Sequence, residues 1–144
     1  MSKAENHATP VPHGQPVEFR VPARLESLAV IRALVTALGT LEDLDLDAVA
    51  DLRLALDEAC TALIRSAAPD SRLTVTVRLR EQDLWVSVSA PCVEENALRH
   101  GTFSWHVISS LTDDVETFHD GAKVGDHGRV FGITMTARRL NTTR

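Results

Sequence analysis

Polar and apolar residues alternate where the patterned part of the chain begins. Val17, Phe19 and Val21 are separated by charged residues, which is the period of a strand with one buried face. Pro22 follows directly and ends the alternation. The pattern therefore predicts a short leading strand.

Helical periods follow over residues 24–38 and from residue 45 or 46 to residue 66, where apolar residues recur at every third or fourth position. We expect the first helix to stop at Gly39 and its outer face to carry Glu26, Arg32 and Thr36. Acidic residues crowd the first turn of the second helix, which suits the helix dipole. The predicted apolar stripes are Leu25, Leu28, Ile31, Val35 and Leu38 in the first helix, and Val49, Leu52, Leu56, Ala59, Cys60 and Leu63 in the second.

The rest of the chain returns mostly to strand patterns. Alternation over residues 73–79 and 84–88 predicts a β-hairpin, and the polar residues 91–101 predict an irregular segment. A short helix is predicted over residues 103–112, then strands over 115–119 and 130–137 around a loop at 120–128. We therefore expect an α+β protein, a two-layer α/β sandwich with a mixed, mostly antiparallel sheet and its helices on one face.

Length and charge narrow the class of protein. The 144 residues carry 15 Lys plus Arg against 20 Asp plus Glu, a formal charge of -5, which argues against nucleic acid and favours a protein partner. Residues 1–15 are rich in Pro, Gly and small polar residues, so we expect a disordered arm there and one domain over residues 16–140. The sequence has neither the apolar run of a secretory signal nor a run of membrane-spanning length, so a cytoplasmic protein without membrane contact is expected.

Cysteines and histidines offer little metal or redox chemistry. Cys60 and Cys92 have no CxxC spacing, and a disulfide is not expected in the cytoplasm. Cys60 lies on the predicted apolar stripe, whereas Cys92 falls in the irregular segment, where exposure would leave it open to oxidation. None of the six histidines has the i, i+4 spacing that places two ligands on one helix face, so no metal site is predicted.

A motif in the second predicted helix resembles that of a known family. Residues 54–61 read LALDEACT, which resembles the N box, of the form LAxxEAxxNA, in the anti-sigma kinases of the RsbW and SpoIIAB type. Residues 108–116, ISSLTDDVE, resemble the family segment of the form IxxLMDEVE. GTFSWHV at 101–107 and VFGIT at 130–134 are similar to segments of the actinobacterial anti-sigma F factors. The resemblance spans nearly all of residues 16–138 and implies the histidine-kinase-like ATPase (Bergerat or GHKL) fold.

The same resemblance implies an ATP and magnesium site whose motifs are altered here. Glu58 matches the family's general base, although a solvated helix carboxylate is the alternative reading. Ala62 stands where the family has a magnesium-binding asparagine, and a methyl group cannot ligate the ion. The DxGxG motif falls on Ala90, Cys92 and Glu94, which lack the adenine acceptor and the glycine and add a negative charge.

A third motif, GxGL, falls on residues 102–105, with Gly101 one residue away. Phe103 and Trp105 are expected to fill space that a nucleotide pocket would leave open. The residues implied in a degenerate ATP pocket are Asp57, Glu58, Thr61, Gly101, Thr102 and Ser104.

The functional expectation is an anti-sigma factor. The resemblance implies a homodimer that sequesters an alternative sigma factor of the sigma F, stress or sporulation kind and so represses transcription. It also implies release by an anti-anti-sigma factor with a STAS domain, and a partner surface on the first helix that includes Glu26 and Arg32. The alternative is an active serine protein kinase that phosphorylates the anti-anti-sigma factor through Glu58, with the metal held by oxygens of Asp57 or Thr61.

Overall fold

The described part of the chain covers most of the patterned sequence. A computed structural model describes residues 15–41, 44–93, 98–99, 101–123 and 129–138. Outside these residues lie all but Gln15 of the predicted arm, Glu94, and residues 124–128 of the predicted loop.

The described residues form strands and helices in the order that the sequence predicts, which confirms an α+β chain. The elements are β1 (Pro16–Pro22), α1 (Ser27–Leu41), α2 (Leu46–Ser66), β2 (Arg72–Leu79), β3 (Asp83–Cys92), α3 (Phe103–Leu111), β4 (Asp114–Lys123) and β5 (Arg129–Arg138). None of the described helices combines the length and apolarity needed to cross a bilayer.

The strands form one sheet in the spatial order β1-β2-β3-β5-β4, and all four neighbouring pairs are antiparallel. The mostly antiparallel sheet is thus confirmed, but the parallel pairing that a mixed sheet requires does not occur among the described strands. The reason is the position of β5, which lies between β3 and β4 and runs opposite to both.

The core lies between one face of the sheet and the helices. On β2 and β3 every second residue is buried, and these residues face α2, whose stripe from Val49 to Leu63 is buried as predicted. Ala55 and Ala59 of α2 are fully buried, so α2 lies close to the sheet and is held firmly in place. Helix α2 is the element that positions the N-box motif.

Helix α1 differs from its prediction at both ends. It begins at Ser27, whose hydroxyl donates to the carbonyl of Pro22, so Leu25 precedes the helix and is exposed rather than part of the stripe. The helix also continues through Gly39 to Leu41. A Cβ at Gly39 would lie 2.7 Å from Cγ2 of Val49 on α2, so this glycine permits close helix packing and does not end the helix.

The last three strands differ from their predicted bounds, and each is longer than its local pattern indicates. β3 continues through Pro91 and Cys92, which pair with Val130 and Arg129 of β5, so the predicted irregular segment is wrong at its start. β4 extends to Lys123, inside the predicted loop, and β5 is longer by one residue at each end. These extensions depend on pairing between segments far apart in the chain, which a local pattern does not contain.

Candidate functional site: the outer face of the second helix

The N-box residues are divided between the two sides of α2. The small residues Ala55, Ala59 and Cys60 are buried in the core, whereas Asp57 and Glu58 are half-buried on the outward side. Asp45 caps the start of the helix, accepting a hydrogen bond from the backbone N–H of Ala48 at 3.0 Å. The motif therefore presents two neighbouring carboxylates on a helix that the core holds rigidly.

Asp57 is paired with α1. Nε of Arg32 lies 2.9 Å from both carboxylate oxygens of Asp57, and the hydrogen bond and the attraction between the charges raise the pKa of the Arg32 guanidinium. The two side chains are 42% and 28% exposed, so water screens the pair and its contribution to stability is modest. The ion pair joins a residue predicted for partner binding to one predicted for the nucleotide site, and it leaves Asp57 a poor magnesium ligand.

Glu58 is held by the start of α3. The hydroxyl of Ser104 donates a hydrogen bond of 2.6 Å to Oε2 of Glu58, in a part-buried contact between residues 46 positions apart. Bonds of this length between a hydroxyl and a carboxylate are charge-assisted and strong. In this conformation the hydroxyl of Ser104 therefore bonds to the carboxylate of Glu58, the residue that the resemblance implies as general base.

The N-terminus of α3 is capped by its own chain. The hydroxyl of Thr102 accepts from the backbone N–H of Trp105 at 3.2 Å and donates to the carbonyl of Arg99 at 2.8 Å. Gly101 has φ +90, a conformation that glycine adopts without strain and that turns the chain into the helix. Thr102 and Gly101 thus form the entry to α3, and Thr102 takes one of the N–H groups that a phosphate would need.

The remaining pocket positions do not fit magnesium ATP as the family holds it. Ala62 is half-buried with a methyl side chain, and Ala90 faces the core at 2% exposure with no adenine acceptor. Thr61 is half-buried on α2 and is the nearest hydroxyl to the lost asparagine along the chain. A cleft of about 410 Å³ lies on the other side of the sheet, where Arg20, Arg72 and Ser89 line it; Ala90 also lines it, but Thr61 and Ala62 do not. Within the described residues, no group of three or more His, Cys, Asp and Glu side chains could hold a metal ion.

The cysteines are both packed thiols. Cys60 is fully buried, and burial, together with the negative charge of Asp57, raises its pKa to about 12. Cys92 is 2% exposed rather than exposed in a loop, because β3 extends to include it, and burial raises its pKa to about 11. Both thiols are protonated at neutral pH, so the expectation of an exposed, oxidisable Cys92 is wrong.

The two aromatic residues of α3 have different environments. Trp105 packs against the core, but Phe103 is 79% exposed, so the expectation that Phe103 fills the pocket is wrong. Phe103 is the first residue of α3, and it is Ser104, the second, that contacts Glu58.

The outer face of α1 is apolar, which the sequence prediction missed. Glu26 is exposed but precedes the helix, and Arg32 lies at the flank next to α2. The signal was present in the sequence, because two thirds of the 15 positions of α1 are Ala, Val, Ile or Leu, more than one core-facing stripe requires. The exposed residues in the middle of the helix are Ala29, Val30, Ala33, Leu34 and Ala37.

Comparison with known proteins agrees with this geometry. Residues 21–130 match the histidine kinase-like ATPase domain family. Over 128 residues, 89% of this chain and 76% of the relative, the chain is 56% identical to the anti-sigma-F factor RsbW of Mycobacterium tuberculosis. Over 124 residues, 72% of this chain and 78% of the relative, it is 23% identical to the serine-protein kinase RsbW of Bacillus mycoides and to that of Bacillus cereus. The chain belongs to the histidine kinase-like ATPase domain family and, within it, to the RsbW type, as the N-box resemblance predicts.

Proposed function

We propose that this chain is a cytoplasmic anti-sigma factor that sequesters an alternative sigma factor by contact. It acts as a homodimer and releases the sigma factor when an anti-anti-sigma factor with a STAS domain competes for it. The name of the mycobacterial relative, an anti-sigma-F factor at 56% identity, supports this assignment. The bound sigma factor is of the sigma F, stress or sporulation kind.

The observation that carries the proposal is the apolar outer face of α1. Val30 is 47% exposed and Leu34 is 36% exposed, and exposed alanines surround them on the helix. An apolar patch on a soluble surface is typical of a protein docking site. The Arg32–Asp57 ion pair lies at the flank of this patch and is available for charged contacts at its rim.

The test is size-exclusion co-elution with a sigma factor of this kind from the same genome. The wild-type chain is expected to form a stable complex with and without Mg-ATP. Val30→Glu and Leu34→Glu place a charge in the patch and are expected to weaken the complex at least tenfold. Leu46→Glu is the matched control, because Leu46 is 83% exposed at the first position of α2, where a glutamate is well tolerated.

Three results would contradict the proposal. The absence of a complex in both buffers rejects the anti-sigma assignment for that sigma factor. A complex that Leu34→Glu and Leu46→Glu affect equally places the docking surface elsewhere. A complex that forms only with Mg-ATP shows that the nucleotide site still works.

The kinase alternative rests on Glu58. Its carboxylate accepts a hydrogen bond from a serine hydroxyl, which is the contact a general base makes before phosphoryl transfer. The names of the Bacillus relatives include serine-protein kinase. Transfer of labelled phosphate from ATP to the STAS-domain partner, lost in Glu58→Gln, would favour this alternative over sequestration alone.

A further inference from the structure

The cleft on the face of the sheet opposite the helices has the volume of a small-molecule site, about 410 Å³. Part of its lining follows from the strand pairing, because Arg20 of β1 pairs with Thr74 of β2, which pairs with Ser89 of β3. Directly paired residues of antiparallel strands point to the same side of a sheet. Arg20, Thr74 and Ser89 therefore form one polar row across three strands.

A second row of lining residues lies one step further along the strands. Arg72 comes two residues before Thr74 and is on the same side of β2. Pro91 comes two residues after Ser89 on β3, and it pairs with Val130 of β5. The cleft therefore combines cationic and hydroxyl groups with an apolar strip. This mixture is typical of sites that bind small organic ligands.

The turn between α2 and β2 completes the lining and is fixed by its own hydrogen bonds. It contributes Pro69, Asp70 and Ser71 to the cleft. The hydroxyl of Ser71 donates to the carbonyl of Ala68 at 2.6 Å, and the backbone N–H of Ser71 donates to the same oxygen at 3.2 Å. Asp70 has φ 61, a left-handed conformation that aspartate and asparagine adopt more readily than most residues. Because these bonds hold the turn, the cleft is preformed.

The polar groups of the cleft have hydrogen-bond donors that the described chain does not use. Within that part of the chain, Arg72 has no ion-pair partner, and the hydroxyls of Thr74 and Ser89 make no hydrogen bond. Arg20 uses Nη2 in a contact of 3.3 Å with Glu18, an exposed pair of little energetic value, and has further N–H donors. Glu18 itself does not line the cleft. Two guanidinium groups and two hydroxyls can therefore donate to an anion bound there.

We propose that this cleft binds a small organic phosphate. The guanidinium groups of Arg20 and Arg72 bind the phosphate oxygens, because arginine presents paired N–H donors that match them. The hydroxyls donate to the remaining oxygens, and the organic part packs on Pro91 and Val130. The sheet separates this site from Glu58 on α2, so it is distinct from the ATP pocket that the family resemblance implies.

The test is an NMR titration of the isotope-labelled full chain with phenyl phosphate, in a low-salt buffer that contains no other phosphate. The amide signals of Arg72, Thr74 and Ser89 are expected to shift and to saturate, with a dissociation constant of about 1 mM or below. Inorganic phosphate, which has no ring to pack on the apolar strip, should bind at least threefold more weakly. Phenol, which has no charge for the arginines, should give no saturable shift.

Four variants assign the contacts. Arg72 is exposed, so Arg72→Gln should leave the fold intact and raise the dissociation constant of phenyl phosphate at least fivefold. The double variant Thr74→Val, Ser89→Ala removes the hydroxyl donors and should raise it about threefold. Asp70→Asn removes a negative charge from the lining and keeps a residue that tolerates φ 61, so it should lower the dissociation constant about twofold. Arg53→Gln, at an exposed position on α2, is the matched control and should change nothing.

Several results would overturn this site. The absence of a saturable shift with phenyl phosphate rejects it outright. Shifts confined to α2 and α3 would place the ligand at the implied nucleotide site instead. Equal losses in Arg72→Gln and Arg53→Gln would show a general attraction of anions to exposed arginines, and equal affinities for phenyl phosphate and inorganic phosphate would reject an organic ligand. The titration contains no sigma factor, so its outcome is independent of the sequestration proposal.

Discussion

Two buried thiols should govern how the protein responds to alkaline pH. The folded chain keeps Cys60 and Cys92 protonated up to pH values of about 12 and about 11, whereas an unfolded cysteine titrates near 9.0. Between these values the unfolded state releases protons that the folded state retains. Their contribution to stability is therefore complete below about pH 9 and is lost as the pH rises towards the folded-state pKa values.

The free energy of unfolding in urea should accordingly fall from pH 8 to pH 11. The chain has no tyrosine, so no phenol titrates in the same window. The double variant Cys60→Ala, Cys92→Ala starts from a lower stability because it loses buried sulfur atoms, but its fall over this pH range should be smaller. Equal slopes for the two proteins would show that the thiols do not control the alkaline response.

A second prediction at this scale concerns the hydrogen bond between Ser104 and Glu58. Ser104→Ala removes the donor and should lower the free energy of unfolding by about 1–2 kcal/mol, the value of a charge-assisted hydrogen bond in a half-exposed setting. Ser110→Ala is the control, because Ser110 lies on the same helix and its exposed hydroxyl bonds only to the backbone. In a double-mutant cycle with Glu58→Ala, which removes the acceptor, additive losses would mean that the two side chains do not interact in solution.

Residue roles divided sharply into those the sequence could predict and those it could not. That Ala62 cannot ligate magnesium follows from the residue alone, because side-chain identity decides whether a group can ligate an ion. The environments of Phe103 and Cys92 did not follow, because each depends on where a neighbouring segment ends. Likewise, the ion pair between Arg32 and Asp57 joins two helices, and the pattern of each helix taken singly contains no sign of it.

Among the elements, the contact between α1 and α2 is the one that a single atom can disturb. Gly39→Ala adds a good helix former, which alone would stabilise α1 by about 1 kcal/mol. The new Cβ would lie 2.7 Å from Cγ2 of Val49, whose branched side chain has few alternative rotamers. We therefore expect a net loss of about 1–2 kcal/mol in urea unfolding.

Two further variants separate close packing from helix propensity. Thr40→Ala, at the exposed neighbouring position, changes propensity without a clash and should be neutral or slightly stabilising. Combining Gly39→Ala with Val49→Ala removes the atom that the new Cβ would meet, so the double variant should lose less than the sum of the single variants. A stabilised Gly39→Ala protein would show instead that the helices separate freely at this point.

The existence and type of every element could be predicted, whereas several of their ends could not. Periods of two and of three to four residues identified the strands and helices because one side of each packs on the core. The end of α1 was placed too early because glycine is common both where helices stop and where helices touch. The ends of β3 and β4 are set by their pairing with β5, which is a tertiary interaction.

At the scale of the whole molecule, the chain keeps the fold of the histidine kinase-like ATPase family. The side chains at the implied nucleotide site, however, are bonded to other residues of the chain or lack the implied group. Ser104 holds Glu58, Arg32 holds Asp57, and Ala62 stands where the resemblance implies a magnesium ligand. Under the proposed function, a protein partner binds at α1 irrespective of nucleotide. Stability is a direct measure of this independence, because a ligand that binds only the folded state must raise the unfolding temperature.

We therefore expect 5 mM Mg-ATP to leave the thermal midpoint unchanged within about 1 °C. A ligand at a hundred times its dissociation constant stabilises a protein by about 2.7 kcal/mol, which for a chain of this size corresponds to a shift of roughly 8 °C. The serine-protein kinase RsbW of Bacillus mycoides, measured in parallel, is the positive control. A shift of several degrees that needs magnesium and disappears in Glu58→Ala would mean that the Ser104 and Arg32 contacts open to admit the nucleotide. Release of the proposed sigma-factor partner would then depend on the nucleotide state as well as on the competing partner.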